Sequence, residues 1–339
     1  MAEETLSQIA NKMVALGKGI LAADESAPTI KKRLNSVGVE STEENRRTYR
    51  GLLFTAHGLE QYISGVIMFD ETLRQNAANG INFSNLLAQK GILSGIKVDQ
   101  GTELFAGSEV EKFTKGLDGL SERLQEYYSL GARFAKWRAT YSIGNSLPSE
   151  KCLLQNAQDL AEYAYLCQQN SIVPIVEPEV LMDGAHSIED CYQATKKVLK
   201  AVFEQLAIKN VALDSIVLKP NMVISGQNSG ILDTPEKVAQ MTVDCFKETV
   251  PPQVPGIVFL SGGQSEQQAC SNLNAMNVNG QEQMWQLSFS FGRALQNSAL
   301  QTWAGKEENI IKAQEVFLRR AKLSSLARSG QYKEEMENN

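Results

Sequence analysis

The residue whose type and place speak most directly of chemistry is Lys219, which ends the apolar run Ser215–Asn221 (SIVLKPN) just ahead of Pro220. A residue before proline is held extended. Burial and neighbouring cations shift a lysine toward its neutral form, and only the neutral amine attacks a carbonyl carbon. Lys136 is a candidate for the cationic neighbour, and Glu177 or Glu179 for the acid and base that expel water from a carbinolamine. Asp24 is placed to exchange a substrate proton. Taken alone, either of these lysines reads first as a salt-bridge residue.

Their spacing argues for a shared site. Side chains alternate along a strand, so Lys136 and Arg138 share one face, as do Glu177 and Glu179. Isolated buried ions cost several kcal/mol or more, so such charges must pair with one another or with a ligand. Two further groups of residues suit anions. The S-G-G turn Ser261–Gly263 lets backbone N–H groups approach a phosphate, and the F-G-R run ending at Arg293 offers a guanidinium fork. Lys32, Arg33 and Lys97 are candidates for holding a second phosphate.

Something must bring these distant residues together, and the apolar runs supply it. Eight runs rich in Val, Ile and Phe end in polar residues or Gly: 17–24, 62–70, 91–99, 133–141, 172–179, 215–221, 256–263 and 286–293. Helical patterns separate most of them. Ser41 with Glu44 predicts a capping box before a helix over 45–57, and Ser265 with Gln268 predicts one before 267–276. Pro235 after Thr234 opens a helix reaching Glu248. Further helices are expected over 156–169, 187–206 and 307–327, and Leu6, Ile9, Met13 and Leu16 form an apolar stripe near the start.

Eight strands alternating with helices predict a single TIM (β/α)8 barrel, whose active site lies at the C-terminal strand ends where the charged residues fall. A doubly wound sheet lacks its G-x-G-x-x-G turn. Pro174 fits the fifth run only as the strand's first residue. The expected organisation is one barrel domain over 1–330 and a polar, disordered tail over 331–339.

Composition narrows the class. The 339 residues are 42% hydrophobic and 21% charged, with a net charge of −6, which predicts neither disorder nor a broad surface for nucleic acid. His57 and His186 are the sole histidines, too few for a multi-imidazole metal centre, so no metal or cofactor is expected. Five dispersed cysteines, Glu3 and Glu4 at the start, and no long apolar run predict a reduced, cytoplasmic protein away from membranes.

The ordered motifs GKGILAADES (Gly17–Ser26), TEENRR (Thr42–Arg47), GIKVD (Gly95–Asp99), GLDGLSER (Gly116–Arg123), FAKWR (Phe134–Arg138), IVPIVEPE (Ile172–Glu179), LKPNMV (Leu218–Val223), FLSGGQSE (Phe259–Glu266) and FGRALQ (Phe291–Gln296) resemble the class I, Schiff-base fructose-bisphosphate aldolases over nearly the whole chain. The resemblance implies that Lys219 forms an imine with C2 of fructose 1,6-bisphosphate, giving dihydroxyacetone phosphate and glyceraldehyde 3-phosphate without a metal. It implies Glu177 as principal acid/base, Asp24 at the C4 hydroxyl, and Lys136 with Glu179 shaping the charge around the lysine. Ser261, Gly262, Gly263, Ser290, Gly292 and Arg293 would hold one phosphate, while Ser26, Arg33, Lys97 and Arg138 serve the other end. It also implies a cytosolic enzyme of glycolysis and gluconeogenesis, often a homotetramer. Two departures stand out. The family's animal and plant members end in Tyr, whereas here the last Tyr is Tyr332, followed by KEEMENN, and Thr29 stands where Ser is usual, beside Pro28. A non-catalytic phosphate-binding scaffold and another Schiff-base barrel enzyme, such as a transaldolase, are the alternatives. The intact set Asp24, Lys136, Glu177 and Lys219 argues against the first, and two phosphate-directed clusters against the second.

Overall fold

The computed structural model describes residues 4–278 and 284–338. Eight parallel strands close into a barrel in chain order: β1 Gly19–Ala23, β2 Ile63–Met68, β3 Leu93–Lys97, β4 Ala132–Tyr141, β5 Val173–Val180, β6 Val217–Leu218, β7 Gly256–Phe259 and β8 Gln286–Phe291. Pairing of Ile20 with Ser290 closes the ring. Every apolar run read from the sequence is a strand of this barrel, and the expected TIM barrel is the fold. A hairpin of Thr102–Leu104 with Lys112–Thr114 after β3 was not foreseen, its strands being short and largely exposed.

Strand alternation divides the core in two. Ile20 and Ala22 of β1, Val173 and Ile175 of β5, and Val258 of β7 point inward, whereas Leu21, Ala23, Val176, Ile257 and Phe259 face the surrounding helices. The inner core is sealed at the strands' N-terminal ends by the helix Leu6–Met13, which contributes Ile9, Ala10 and Met13. That helix opens on a capping box between Thr5 and Gln8. Leu16 does not join the stripe: the helix stops at Met13, and Leu16 is 79% exposed.

The other helix signals hold with small shifts. Thr42, not Ser41, caps the helix Glu43–Thr55, accepting from Asn45 N at 3.1 Å, while the Ser41 carbonyl is taken by Arg46. Ser265 and Gln268 form the expected box, and Thr234 with Pro235 opens Pro235–Lys247. Glu150–Gln169, Ile188–Ile208 and Ile310–Arg328 cover the long patterns. The tail is not loose: Tyr332 is buried, and Glu334–Asn338 forms a 3-10 turn whose Glu337 pairs with Arg320. Polar composition cannot reveal a basic partner elsewhere in the chain.

Pro174 is the second residue of β5, not the first, and Pro178 lies in the same strand. Both share parity with Val176, whose carbonyl accepts from Lys219 N at 2.8 Å, whereas Leu181 N donates toward β4. The missing proline donors therefore face β6, which pairs over two residues only. Asn221 Oδ1 takes the N–H of Val180 at 3.0 Å where the ladder has ended.

The barrel floor depends on Phe134 of β4. A Cβ on Gly95 would lie 2.1 Å from its ring, and one on Gly65 at 3.0 Å. Gly95→Ala is therefore expected to lower stability by about 1–3 kcal/mol through overpacking. Thermal or urea unfolding measures the loss, and adding Phe134→Leu should recover part of it; additive losses would refute this packing account.

Candidate active site

The charged side chains foreseen at the strand ends converge at one mouth of the barrel. Asp24 follows β1, Lys97 ends β3, Lys136 and Arg138 lie in β4, Glu177 and Glu179 in β5, and Lys219 follows β6. Their positions are dictated locally. Parallel register sets Lys97 beside Lys136 and Arg138 beside Glu177. Lys219 is fixed by its backbone bond to Val176 and leaves the sheet at Pro220.

At the centre, one carboxylate is shared by two lysines. Glu177 Oε1 lies 3.1 Å from Lys219 Nζ, and Oε2 lies 3.2 Å from Lys136 Nζ. Lys136 also reaches Asp24 Oδ2 at 2.9 Å and Asp99 Oδ2 at 3.8 Å. Lys136, Glu177 and Lys219 each expose under a twentieth of their surface. Burial pushes the Asp24 and Glu177 carboxyls up, but the charges of Lys136 and Lys219 outweigh it and hold both below the usual carboxylate range. Burial pulls Lys136 down, and Asp24, Glu177 and Asp99 together leave it above the usual lysine value. Glu177 and Asp24 thus stand as bases. Glu179 is set apart from this centre and pairs with the half-exposed Arg138.

The anion-directed residues also gather. Ser261–Gly263 follows β7, and Ser290 lies in β8 just before Gly292 and Arg293. Arg293, which begins the helix Arg293–Trp303, donates to the Gly262 carbonyl and so ties the two loops together. Gly262 takes φ +55°, which favours glycine there, and the space beside Gly263 is filled by the Gln227 side chain, whose Nε2 lies 1.4 Å from where a Cβ would sit. The Gly263 N–H meets Met182 Sδ, a soft and weak acceptor. Ser290 Oγ is buried without a hydrogen-bond partner.

The second anion group is less open than expected. Arg33 is paired with Glu25, which also holds Arg50 at 2.6 Å, and Lys97 donates to Asp99 through its carboxylate and carbonyl. Arg33 Nε and Nη2 remain buried without partners. Lys32 is exposed on the helix Ala27–Asn35, away from the paired residues. Ser26 caps that helix without a side-chain cap bond and sits 3.2 Å from Thr29 Oγ1. Sequence reasoning missed Glu25 and Gln296 as members of the site, and it read Asp99 as a charge ending the third apolar run without giving it a role. Gln296 gives no such signal: fully buried, it accepts from Tyr49 Oη at 3.0 Å and donates to Ala22 O at 2.7 Å.

Among the described residues, no group of three or more His, Cys, Asp or Glu side chains is arranged to hold a metal ion, and all five cysteines are buried and unpaired. The family profile described as "Fructose-bisphosphate aldolase class-I" matches residues 5–339. The chain belongs to the class I fructose-bisphosphate aldolases. It is 54% identical over 94% of its length to "Fructose-bisphosphate aldolase 4, cytosolic" of Arabidopsis thaliana, covering 81% of that protein. It is 51% identical over 98% to the "Probable fructose-bisphosphate aldolase class 1" of Xanthomonas campestris pv. campestris, covering all of it. The solved aldolase of Plasmodium falciparum, in complex with TRAP and a small-molecule inhibitor, superposes with a TM-score of 0.95 at 51% identity, over 97% of this chain and 95% of that one. As a class I aldolase the chain is a lyase, and no helix among its described residues is long and apolar enough to cross a membrane.

The pairing at Lys136 has a pH signature. Asp24 and Glu177 titrate lower in the folded chain than in the unfolded one. Their contribution to stability is therefore complete above the ordinary carboxylate range and is lost as the pH falls through the folded values. Lys136→Met should cost about 3–5 kcal/mol at neutral pH by leaving buried carboxylates short of a cation. The gap from wild type in urea unfolding should begin to narrow below about pH 4. A gap independent of pH would show that Lys136 does not hold these carboxylates.

Proposed function

We propose that this aldolase cleaves fructose 1,6-bisphosphate through an imine on Lys219 without a metal. The contact between Lys219 Nζ and Glu177 Oε1 at 3.1 Å is the observation that supports it most. Glu177, held as a base, takes the lysine proton, the Nζ lone pair attacks C2 of the open-chain sugar as the carbonyl π pair moves to oxygen, and a proton passes from the nitrogen to that oxygen to give the carbinolamine. The proton on Glu177 then goes to the carbinolamine hydroxyl, which leaves as water, and the nitrogen lone pair forms the iminium.

The iminium is the electron sink for cleavage. Asp24, paired with Lys136 across the same site, takes the proton of the C4 hydroxyl as the C3–C4 electron pair moves to C3 and glyceraldehyde 3-phosphate departs. The remaining enamine gains a proton at C3, and water on C2 releases dihydroxyacetone phosphate and restores the lysine. Lys136 and Glu179 set the charge around this centre. Ser261, Gly262, Gly263, Ser290, Gly292 and Arg293 hold one phosphate, supported by the glycine turn and the unpartnered Ser290 Oγ. Ser26, Arg33, Lys97 and Arg138 serve the other end, where two guanidinium nitrogens of Arg33 lack partners. The enzyme works in the cytosol, in glycolysis and gluconeogenesis, as its relative named cytosolic supports, and assembles as a homotetramer, as the family resemblance implies.

Borohydride added with dihydroxyacetone phosphate in excess EDTA should leave a stable adduct on the peptide carrying Lys219, and Lys219→Ala should neither form it nor cleave substrate. An adduct on another lysine, or cleavage by the variant, overturns the assignment. Arg293→Ala removes a charge-assisted contact worth about 1.5–3 kcal/mol and should appear chiefly as a raised KM. An unchanged KM would take Arg293 out of the phosphate site.

A further inference from the structure

Behind the two glycine loops lies a second set of contacts that the reaction does not use. The helix Glu266–Val278 starts three residues beyond the Ser261–Gly263 turn, and its first residue is an acid. Glu266 does not point to solvent. Its Oε2 accepts from Ser298 Oγ at 2.7 Å, and its Oε1 accepts from the Ser298 backbone N–H at 3.1 Å. Ser298 lies in the second turn of Arg293–Trp303, the helix that Arg293 opens. The carboxylate therefore bolts the helix behind one loop to the helix behind the other.

The bolt is itself held. Arg320 of the last long helix is buried; its Nη2 donates to the Glu266 carbonyl at 3.1 Å, and its Nε lies 3.6 Å from Glu266 Oε2. The far side of the same guanidinium pairs with Glu337 of the docked tail, which also accepts from Tyr332 Oη at 2.9 Å. A run of contacts thus leads from the tail through Arg320 and Glu266 to Ser298.

We propose that Glu266 is a positioning residue for substrate phosphate, fixing the spacing between the Gly262–Gly263 N–H groups and Arg293. This rests on the reading that those loops grip a phosphate. On the front, a single Arg293 bond to the Gly262 carbonyl links the loops. That bond uses a guanidinium face that an incoming phosphate competes for. A link at the back leaves the front free to engage the ligand, and a carboxylate accepting two bonds from one residue resists both sliding and rotation of the helices.

The test compares three variants in the full-length enzyme, reading KM and kcat for fructose 1,6-bisphosphate cleavage and competitive inhibition by inorganic phosphate. Glu266→Gln should raise KM and weaken phosphate inhibition by about tenfold, with kcat within about twofold of wild type. Ser298→Ala, which keeps the backbone bond, should show a smaller effect in the same direction and serves if Glu266→Gln does not fold. In an Arg293→Ala background, Glu266→Gln should add little, because the group it positions is gone. Wild-type KM and phosphate inhibition in Glu266→Gln and Ser298→Ala, alongside impaired values in Arg293→Ala, overturn the proposal. Wild-type values in Arg293→Ala itself would instead overturn the phosphate-site reading beneath it. Equal losses of kcat and KM effects that do not depend on Arg293 would mark Glu266 as a general stabiliser and also overturn it.

Discussion

Everything at the barrel mouth depends on a carboxylate being shared between two buried ammonium groups. Glu177 touches Lys219 with one oxygen and Lys136 with the other, and Lys136 passes the charge on to Asp24. No member of this set is tolerable alone, because a lone ion at such depth would neutralise itself or destabilise the fold. Together, Asp24, Asp99, Glu177 and Glu179 face Lys97, Lys136, Lys219 and Arg138, four carboxylates against four cations. Balance of this kind lets Lys219 sit buried beside Glu177 without excess charge of either sign. The cost is that each pair is only as sound as the strand that aims it.

The aiming comes from the floor upward. Phe134 at the base of β4 fits into the space left by Gly65 and Gly95 on the two preceding strands, and the N-terminal helix closes the opening beneath. Two residues beyond Phe134, the same strand presents Lys136 on the same face. Strand β5 is anchored toward β4 and released toward β6, because Pro174 and Pro178 withhold donors on that side only. That asymmetry keeps Glu177 firmly registered against β4 while β6 ends early, and the chain turns away at Lys219 and Pro220.

How much of this the sequence disclosed follows from which physical signals are local. The eight strands were legible because each is a continuous apolar run with a polar end, the pattern a fully buried parallel strand must have. Asp24, Glu177 and Lys219 were legible as charges at or near the ends of such runs and Lys136 as a charge within one, and it was their number, not any one of them, that pointed to a shared site. Thr42 displaced Ser41 as a cap since two adjacent hydroxyls offer equivalent local chemistry, and only the tertiary contact of Arg46 with the Ser41 carbonyl separates them. Glu25 binding two arginines, and Gln296 bridging Tyr49 to β1, depend on contacts between residues distant in sequence. No periodicity records those. The tail shows the same limit, since its polar composition is indistinguishable from that of a free terminus until Arg320 is seen waiting for Glu337.

The docked tail shows how a polar segment is held against the barrel. Tyr332 is buried and its hydroxyl donates to Glu337, which in turn pairs with Arg320 of the last long helix. These groups are engaged with one another, and the charges at the strand ends are left to pair among themselves. Under the proposed mechanism the proton that the enamine gains at C3 needs a protonated group in the mouth, and Asp24, which takes up the C4 hydroxyl proton at cleavage, holds one. Glu177 then serves imine formation and Asp24 the cleavage, and Lys136, which pairs with both carboxylates, is the contact common to the two halves of the reaction.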